Sequence, residues 1–96
     1  MVMESPCPLC ASVATVQARE DAWHVVCPQC LRFTLDAYLL DLFESARRRA
    51  DVRILRLLPR LSDVAQRTAG EGGRLTLTAE NWQAVARGGT ADDSNL

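Results

Sequence analysis

Four cysteines in two Cys-x-x-Cys pairs constrain this chain more than any other feature. Cys7 and Cys10 form the first pair, Cys27 and Cys30 form the second, and sixteen residues separate them. This spacing is typical of four-thiolate zinc sites. Each short turn directs two sulfurs toward one centre, so two turns at the ends of a hairpin can supply a tetrahedron of four. The spacing therefore predicts one zinc ion in a closed site, which is typical of structural rather than catalytic zinc.

Two alternatives for the cysteines stay open, namely iron bound by the same four thiolates and redox or disulfide chemistry. A thioredoxin-like motif requires a β-α-β pattern around a pair, and neither pair has one. The N-terminal segment lacks the basic and apolar regions of a secretory signal, so we expect the reducing cytoplasm. The longest apolar stretch, 37–43, is interrupted by Asp41 and is too short to span a bilayer, so no membrane partner is expected.

The two Cys-Pro-x-Cys motifs resemble the knuckles of the zinc-ribbon class, which commonly read Cys-Pro-x-Cys-Gly. The resemblance covers residues 5–35, and it implies a β-hairpin with one metal-binding knuckle at each end. Ala11 and Leu31 stand where the class commonly has glycine. Zinc ribbons serve transcription, translation, RNA processing and protein docking, so the resemblance implies a metal but no particular function.

Residue patterning predicts a small α+β fold in which a four-cysteine zinc ribbon precedes two main helices and a short strand–helix tail. The predicted strands are residues 13–18, 22–27, 32–35 and 74–77, and the predicted helices are 36–46, 51–69 and 79–87. We expect three regions, which are a zinc ribbon at 1–35, a helical region packed on the ribbon at 36–88, and a disordered tail at 89–96. Segments 32–37 and 74–79 match at four of six positions. Strand 74–77 is therefore expected to pair with the ribbon sheet.

The two main helices are predicted to be amphipathic. Tyr38, Leu42 and Ala46 follow the i, i+4, i+8 spacing of a buried stripe, with Leu39 and Phe43 beside them. Pro59 is expected to kink or restart the second helix. We expect the two apolar faces to pack on each other and on Trp82.

Arginine supplies all eleven basic residues, and its distribution along the chain is uneven. Segment 47–67 has a charge of about +5, whereas the flanks together carry about −6. In a single helix, five of its arginines would form one narrow stripe opposite the apolar face. The candidate residues for contacts with phosphate or a partner are Arg47, Arg48, Arg49, Arg53, Arg56 and Arg60. A solvated surface is the simplest interpretation, and an acidic protein surface and a nucleic acid are the alternatives.

The sequence offers no catalytic constellation. It has one histidine and no glycine-rich phosphate loop or nucleophile elbow, so we expect neither enzymatic activity nor a small-molecule substrate. The net charge of −1 argues against non-specific nucleic-acid binding. We predict a cytoplasmic, non-enzymatic zinc-binding protein that serves as an interaction, adaptor or regulatory module. Its partner would be another protein or a second copy, through apolar surface around Leu55 and Leu57. The alternative is a nucleic-acid-binding regulator that uses the arginine stripe.

Overall fold

The fold is a five-stranded sheet with four helices, and the computed structural model describes residues 2–20 and 22–88. The predicted tail at 89–96 lies outside the described residues. The strands lie side by side in the sheet in the same order as along the chain. The strands are β1 (Val2–Pro6), β2 (Val13–Arg19), β3 (Ala22–Cys27), β4 (Leu31–Asp36) and β5 (Leu75–Leu77). The helices are α1 (Ala37–Arg49), α2 (Val52–Leu55), α3 (Leu58–Gly70) and α4 (Trp82–Ala86).

The first four strands form an antiparallel meander. The predicted hairpin is confirmed as β2 and β3, in which Thr15 lies opposite Val26, and the third predicted strand is β4. Strand β1 was not predicted, and it pairs along β2 with Met3 opposite Val16. Four of its five residues are exposed, so it has little of the apolar alternation that marks a half-buried strand.

Strand β5 returns from the far end of the chain and pairs with β4 in parallel. Phe33 lies opposite Leu75 and Leu35 opposite Leu77, which confirms the predicted pairing of segment 74–77 with the sheet. A parallel pair needs a long crossover connection. Helices α1, α2 and α3 provide that connection.

One hydrophobic core runs between the sheet and the helices. Val16, Val25, Phe33 and Leu35 alternate along three strands and are all at most 2% exposed. The same buried cluster continues into α1, α3, β5 and α4. The boundary at residue 35 therefore lies within a single core, and the division into a ribbon and a helical region stays a prediction.

His24 lies on the other face of the sheet, opposite Gln17 and Thr34. This face is opposite that of Cys27, as the strand alternation predicts, and His24 is only half-buried. Partial desolvation, with smaller contributions from the charges of Arg74 and Arg19, lowers the pKa of His24.

The predicted buried face of α1 is confirmed for Leu39, Phe43 and Ala46 and is wrong for Tyr38. Leu39, Phe43 and Ala46 are fully buried, whereas Tyr38 is 60% exposed. The buried residues follow i, i+4, i+7, and Phe43 contacts Trp82 edge-to-face with ring centroids 5.3 Å apart. Tyr38 lies about 100° around the helix from Leu39, and it faces outward.

The segment 47–67 is not one helix, so the single arginine stripe is wrong. Helix α1 ends at Arg49, and Ala50 adopts a left-handed conformation with φ 53°. The Asp51 carboxylate then accepts a hydrogen bond from Arg53 N at 3.2 Å and begins α2. Pro59 lies in the first turn of α3, where a missing N–H costs nothing, so it restarts the helix rather than kinking it.

No helix in the described ranges is both long enough and apolar enough to cross a bilayer.

Phe43→Ala is expected to lower the free energy of unfolding by about 3–5 kcal/mol, because it leaves a cavity against Trp82 in a fully buried site. Tyr38→Ala, on the exposed side of the same helix, should cost well under half as much. Urea unfolding of the metal-loaded protein would measure both midpoints. Equal midpoints for the two variants would contradict the observed orientation of α1.

Candidate functional site

The four cysteines meet at one end of the sheet because two connections end there. Cys7 and Cys10 lie in the loop from β1 to β2, Cys27 is the last residue of β3, and Cys30 directly precedes β4. Pairing of the strands brings these two loops side by side. Three of the thiols are buried and Cys10 is half-buried.

The four sulfurs have the geometry of one metal centre. All Sγ atoms lie within 4.8 Å of one another. The Sγ atoms of Cys7 and Cys30 are 3.8 Å apart, and those of Cys10 and Cys27 are 3.4 Å apart. A tetrahedral ion with metal–sulfur bonds of about 2.3 Å has S–S edges of about 3.8 Å. The cysteines that the sequence singled out therefore form a cluster that could hold one metal ion, with every thiol in use.

The backbone of each Cys-x-x-Cys turn is tightly folded. Ala11 N donates to Cys7 O at 2.8 Å in the first turn. In the second, Gln29 N and Cys30 N both lie 3.4 Å from Cys27 Sγ and donate to it, which favours a thiolate there. Ala11 and Leu31 follow the two turns with φ 68° and 72°. This left-handed conformation explains why glycine suits these two positions, where this chain has larger residues.

Helix α3 contributes a hydroxyl group to the cluster. Ser62 is buried, its Oγ lies 3.0 Å from Cys30 Sγ, and it accepts a hydrogen bond from Gln66 Nε2 at 3.2 Å. Because Gln66 supplies a donor to the hydroxyl oxygen, the hydroxyl proton is free to point at the sulfur. Our sequence interpretation missed Ser62. The signal was a polar residue among the apolar positions Leu58, Leu61 and Ala65.

Helix α1 also contacts the cysteine turns. Arg47 Nη2 donates to Pro8 O at 3.0 Å, between the two cysteines of the first turn. Arg47 was a candidate for contact with phosphate or a partner, and in the fold it fixes the first turn to the end of α1. A cleft of about 400 Å³ lies beside this contact and reaches Cys10 and Ser62.

The thiols influence one another's protonation. Contact with Cys30 lowers the pKa of Cys7 to about 5, and the same contact raises the pKa of Cys30. Burial raises the pKa of Cys27. Cys7 therefore ionises more readily than an isolated cysteine, and Cys30 ionises less readily. Four thiolates in this partly buried site require a cation, which is the condition that a bound metal ion satisfies.

The other candidate arginines lie away from the cysteines. Arg48 and Arg49 are exposed at the end of α1. Arg53, Arg56 and Arg60 line a separate cleft of about 250 Å³. Arg87, just after α4, lines the same cleft, and no local sequence pattern indicated its proximity to the other arginines.

No protein-family model matches this chain, and no curated protein or solved structure is significantly similar to it.

Ser62→Ala is expected to weaken metal binding by about tenfold or more, because it removes the hydroxyl next to Cys30 Sγ. Zn²⁺ affinity would be measured by competition with a chromophoric chelator. Thr68→Ala is the matched control, since Thr68 is on the same helix and its hydroxyl donates to Val64 O at 2.8 Å. An unchanged affinity in Ser62→Ala would show that its hydroxyl does not support the cluster.

Ala11→Gly is expected to stabilise the metal-loaded protein by about 0.5–1 kcal/mol, since a left-handed non-glycine residue costs about 1–2 kcal/mol. Ala14→Gly, in the buried part of β2, should destabilise it by about 1 kcal/mol or more. Urea unfolding with metal in excess would report both changes. Destabilisation by Ala11→Gly would contradict the strained turn.

Proposed function

We propose that the chain is a non-enzymatic, zinc-stabilised module that binds a partner protein. The zinc assignment is supported by the four sulfurs, which all lie within 4.8 Å of one another, and by the Cys7–Cys30 separation of 3.8 Å, which is the edge of a tetrahedral thiolate site. An ion held by all four thiolates has no position left for water or substrate. Its role is then to stabilise the fold, and the functional surface lies elsewhere.

The two Cys-x-x-Cys turns and the strands that carry them are assigned to a zinc ribbon. The hairpin of β2 and β3 joins the turns, and each turn is followed by a left-handed residue. The cysteines belong to the same buried cluster as the aliphatic core, so metal binding and core formation are coupled. Cysteines that bind a metal as thiolates are typical of a reducing compartment, so the proposal includes a location in the cytoplasm.

Cys27→Ser is expected to unfold the hairpin of β2 and β3, because a structural zinc site supplies on the order of 10–16 kcal/mol of apparent free energy at neutral pH. Chelation of the metal from wild-type protein should have the same effect. Two-dimensional amide NMR spectra would show loss of the dispersed hairpin resonances. Native hairpin shifts in metal-free Cys27→Ser would overturn the structural role of zinc.

The proposed partner is a different protein rather than a second copy. Leu55 and Leu57 were the apolar residues expected to mediate self-association. Both are half-buried against the protein's own core, which leaves little of their surface for another copy. The feature that most supports a binding role is instead the exposed cleft lined by Arg53, Arg56, Arg60 and Arg87.

Affinity capture with the immobilised, zinc-loaded full chain would test this proposal. Nuclease treatment removes proteins held only through nucleic acid, so a captured protein that survives it supports a protein partner. In parallel, anisotropy of labelled duplex DNA, single-stranded DNA and RNA would be measured at about 50 and 200 mM salt. Nucleic-acid binding that collapses at the higher salt, together with no nuclease-resistant protein, would overturn the proposal in favour of a nucleic-acid-binding regulator.

A further inference from the structure

Four arginines from separate parts of the chain converge on one cleft. Arg53 comes from α2, Arg56 from the turn after it, Arg60 from α3 and Arg87 from the residue after α4. Leu57 is the one other lining residue among those described, and the cleft has a volume of about 250 Å³. Helix α4 packs on α3, and this contact brings Arg87 next to Arg53, Arg56 and Arg60.

The positive charge of the cleft is poorly compensated by its own lining, which contains no acidic residue in the described ranges. Asp51 lies 3.8 Å from Arg53 Nε, but the Arg53 side chain is 88% exposed, and such an exposed pair is weak. Four like charges that share a cleft repel one another, even though water reduces the effect. The arrangement therefore favours an anion with several acceptor oxygens.

We propose that this cleft binds the phosphoryl group of a phosphorylated segment on the partner protein, an inference that rests on the proposed function. A phosphomonoester carries a charge of about −1.5 to −2 and three strong acceptor oxygens. Guanidinium groups bind such oxygens through paired N–H donors, and clusters of arginines recognise phosphorylated segments in this way. A single dianionic group matches a small convergent cleft.

The same features are less suited to a nucleic acid. Phosphates along a nucleic acid require charges arranged in a row, and the break at Ala50 and Asp51 prevents one continuous helical stripe. Among the described residues, the lining contains no aromatic side chain on which a base could stack. The net charge of −1 also gives the whole chain little attraction for a polyanion.

The test is an NMR titration of the zinc-loaded full chain with an acetylated Gly-phosphoserine-Gly amide, observing the arginine Nε–Hε resonances. We expect shifts at Arg53, Arg56, Arg60 and Arg87 that the unphosphorylated tripeptide does not cause. Arg60→Gln should weaken binding about tenfold or more, because it removes charge-assisted hydrogen bonds. Arg67→Gln is the matched control, since Arg67 is exposed on the same helix and does not line the cleft.

Thermal unfolding of the free variants distinguishes a binding role from a structural one. Arg60→Gln should be at least as stable as wild type, since it relieves repulsion, and should lose the stabilisation that the phosphorylated tripeptide gives. Equal responses to the two tripeptides, or equal weakening in Arg60→Gln and Arg67→Gln, would overturn the proposal. Tighter binding of a 20-nucleotide single strand or 20-base-pair duplex through the same arginines would also overturn it.

The capture experiment separates this inference from the proposed function. A captured protein that binds Arg60→Gln as well as wild type would overturn the cleft assignment and leave the binding module intact. Capture that is lost in Arg60→Gln, or after phosphatase treatment of the partner, would support the cleft assignment. If the wild-type protein captures no partner that survives nuclease treatment, the proposed function itself is wrong.

Discussion

Convergence of four thiols at one end of the sheet is the constraint on which the other features depend. Two loops must lie side by side for the sulfurs to meet, and this fixes how β1 and β2 align with β3 and β4. Helix α3 contacts the cluster through Ser62, and α1 contacts the first cysteine turn through Arg47. Sheet and helices are therefore joined at the same point. A chain of this size buries a modest core, and a bound ion would add stability where the two layers meet.

The interruptions in the helical region have a second effect, which is to distribute charge. The left-handed Ala50 and the turn before Pro59 divide one arginine-rich segment among three helices. Arg47 is then used within the fold, while Arg53, Arg56 and Arg60 face solvent around a cleft. The same turns that close the core thus gather positive charge at a distance from the cysteines. The cysteine end of the fold thus contributes to stability, whereas the proposed recognition uses the arginine cleft, which is a different surface.

Local patterns in the sequence predicted the hairpin, the cysteine cluster and the pairing of the last strand. These features depend on spacing or alternation within short segments, which a sequence displays directly. Strand β1 was missed because it is an exposed edge strand whose pairing with β2 leaves little alternation. The orientation of Tyr38 was wrong because the apolar positions of α1 cover more than one buried face can hold, and packing of Phe43 against Trp82 leaves Tyr38 on the outside. Ser62 and Arg87 depend on contacts between distant segments, which no local pattern reveals.

The three-residue strand β5 has a consequence for any shortened form of this protein. It covers the outer backbone groups of β4, the strand that carries the fully buried Phe33 and Leu35. A fragment ending before Leu75 would present β4 as an uncovered apolar edge, which is a template for aggregation. The cysteine half of the chain is therefore a poor candidate for expression alone, even with its metal site complete. In this fold β5 protects the edge of the antiparallel sheet formed by β1 to β4.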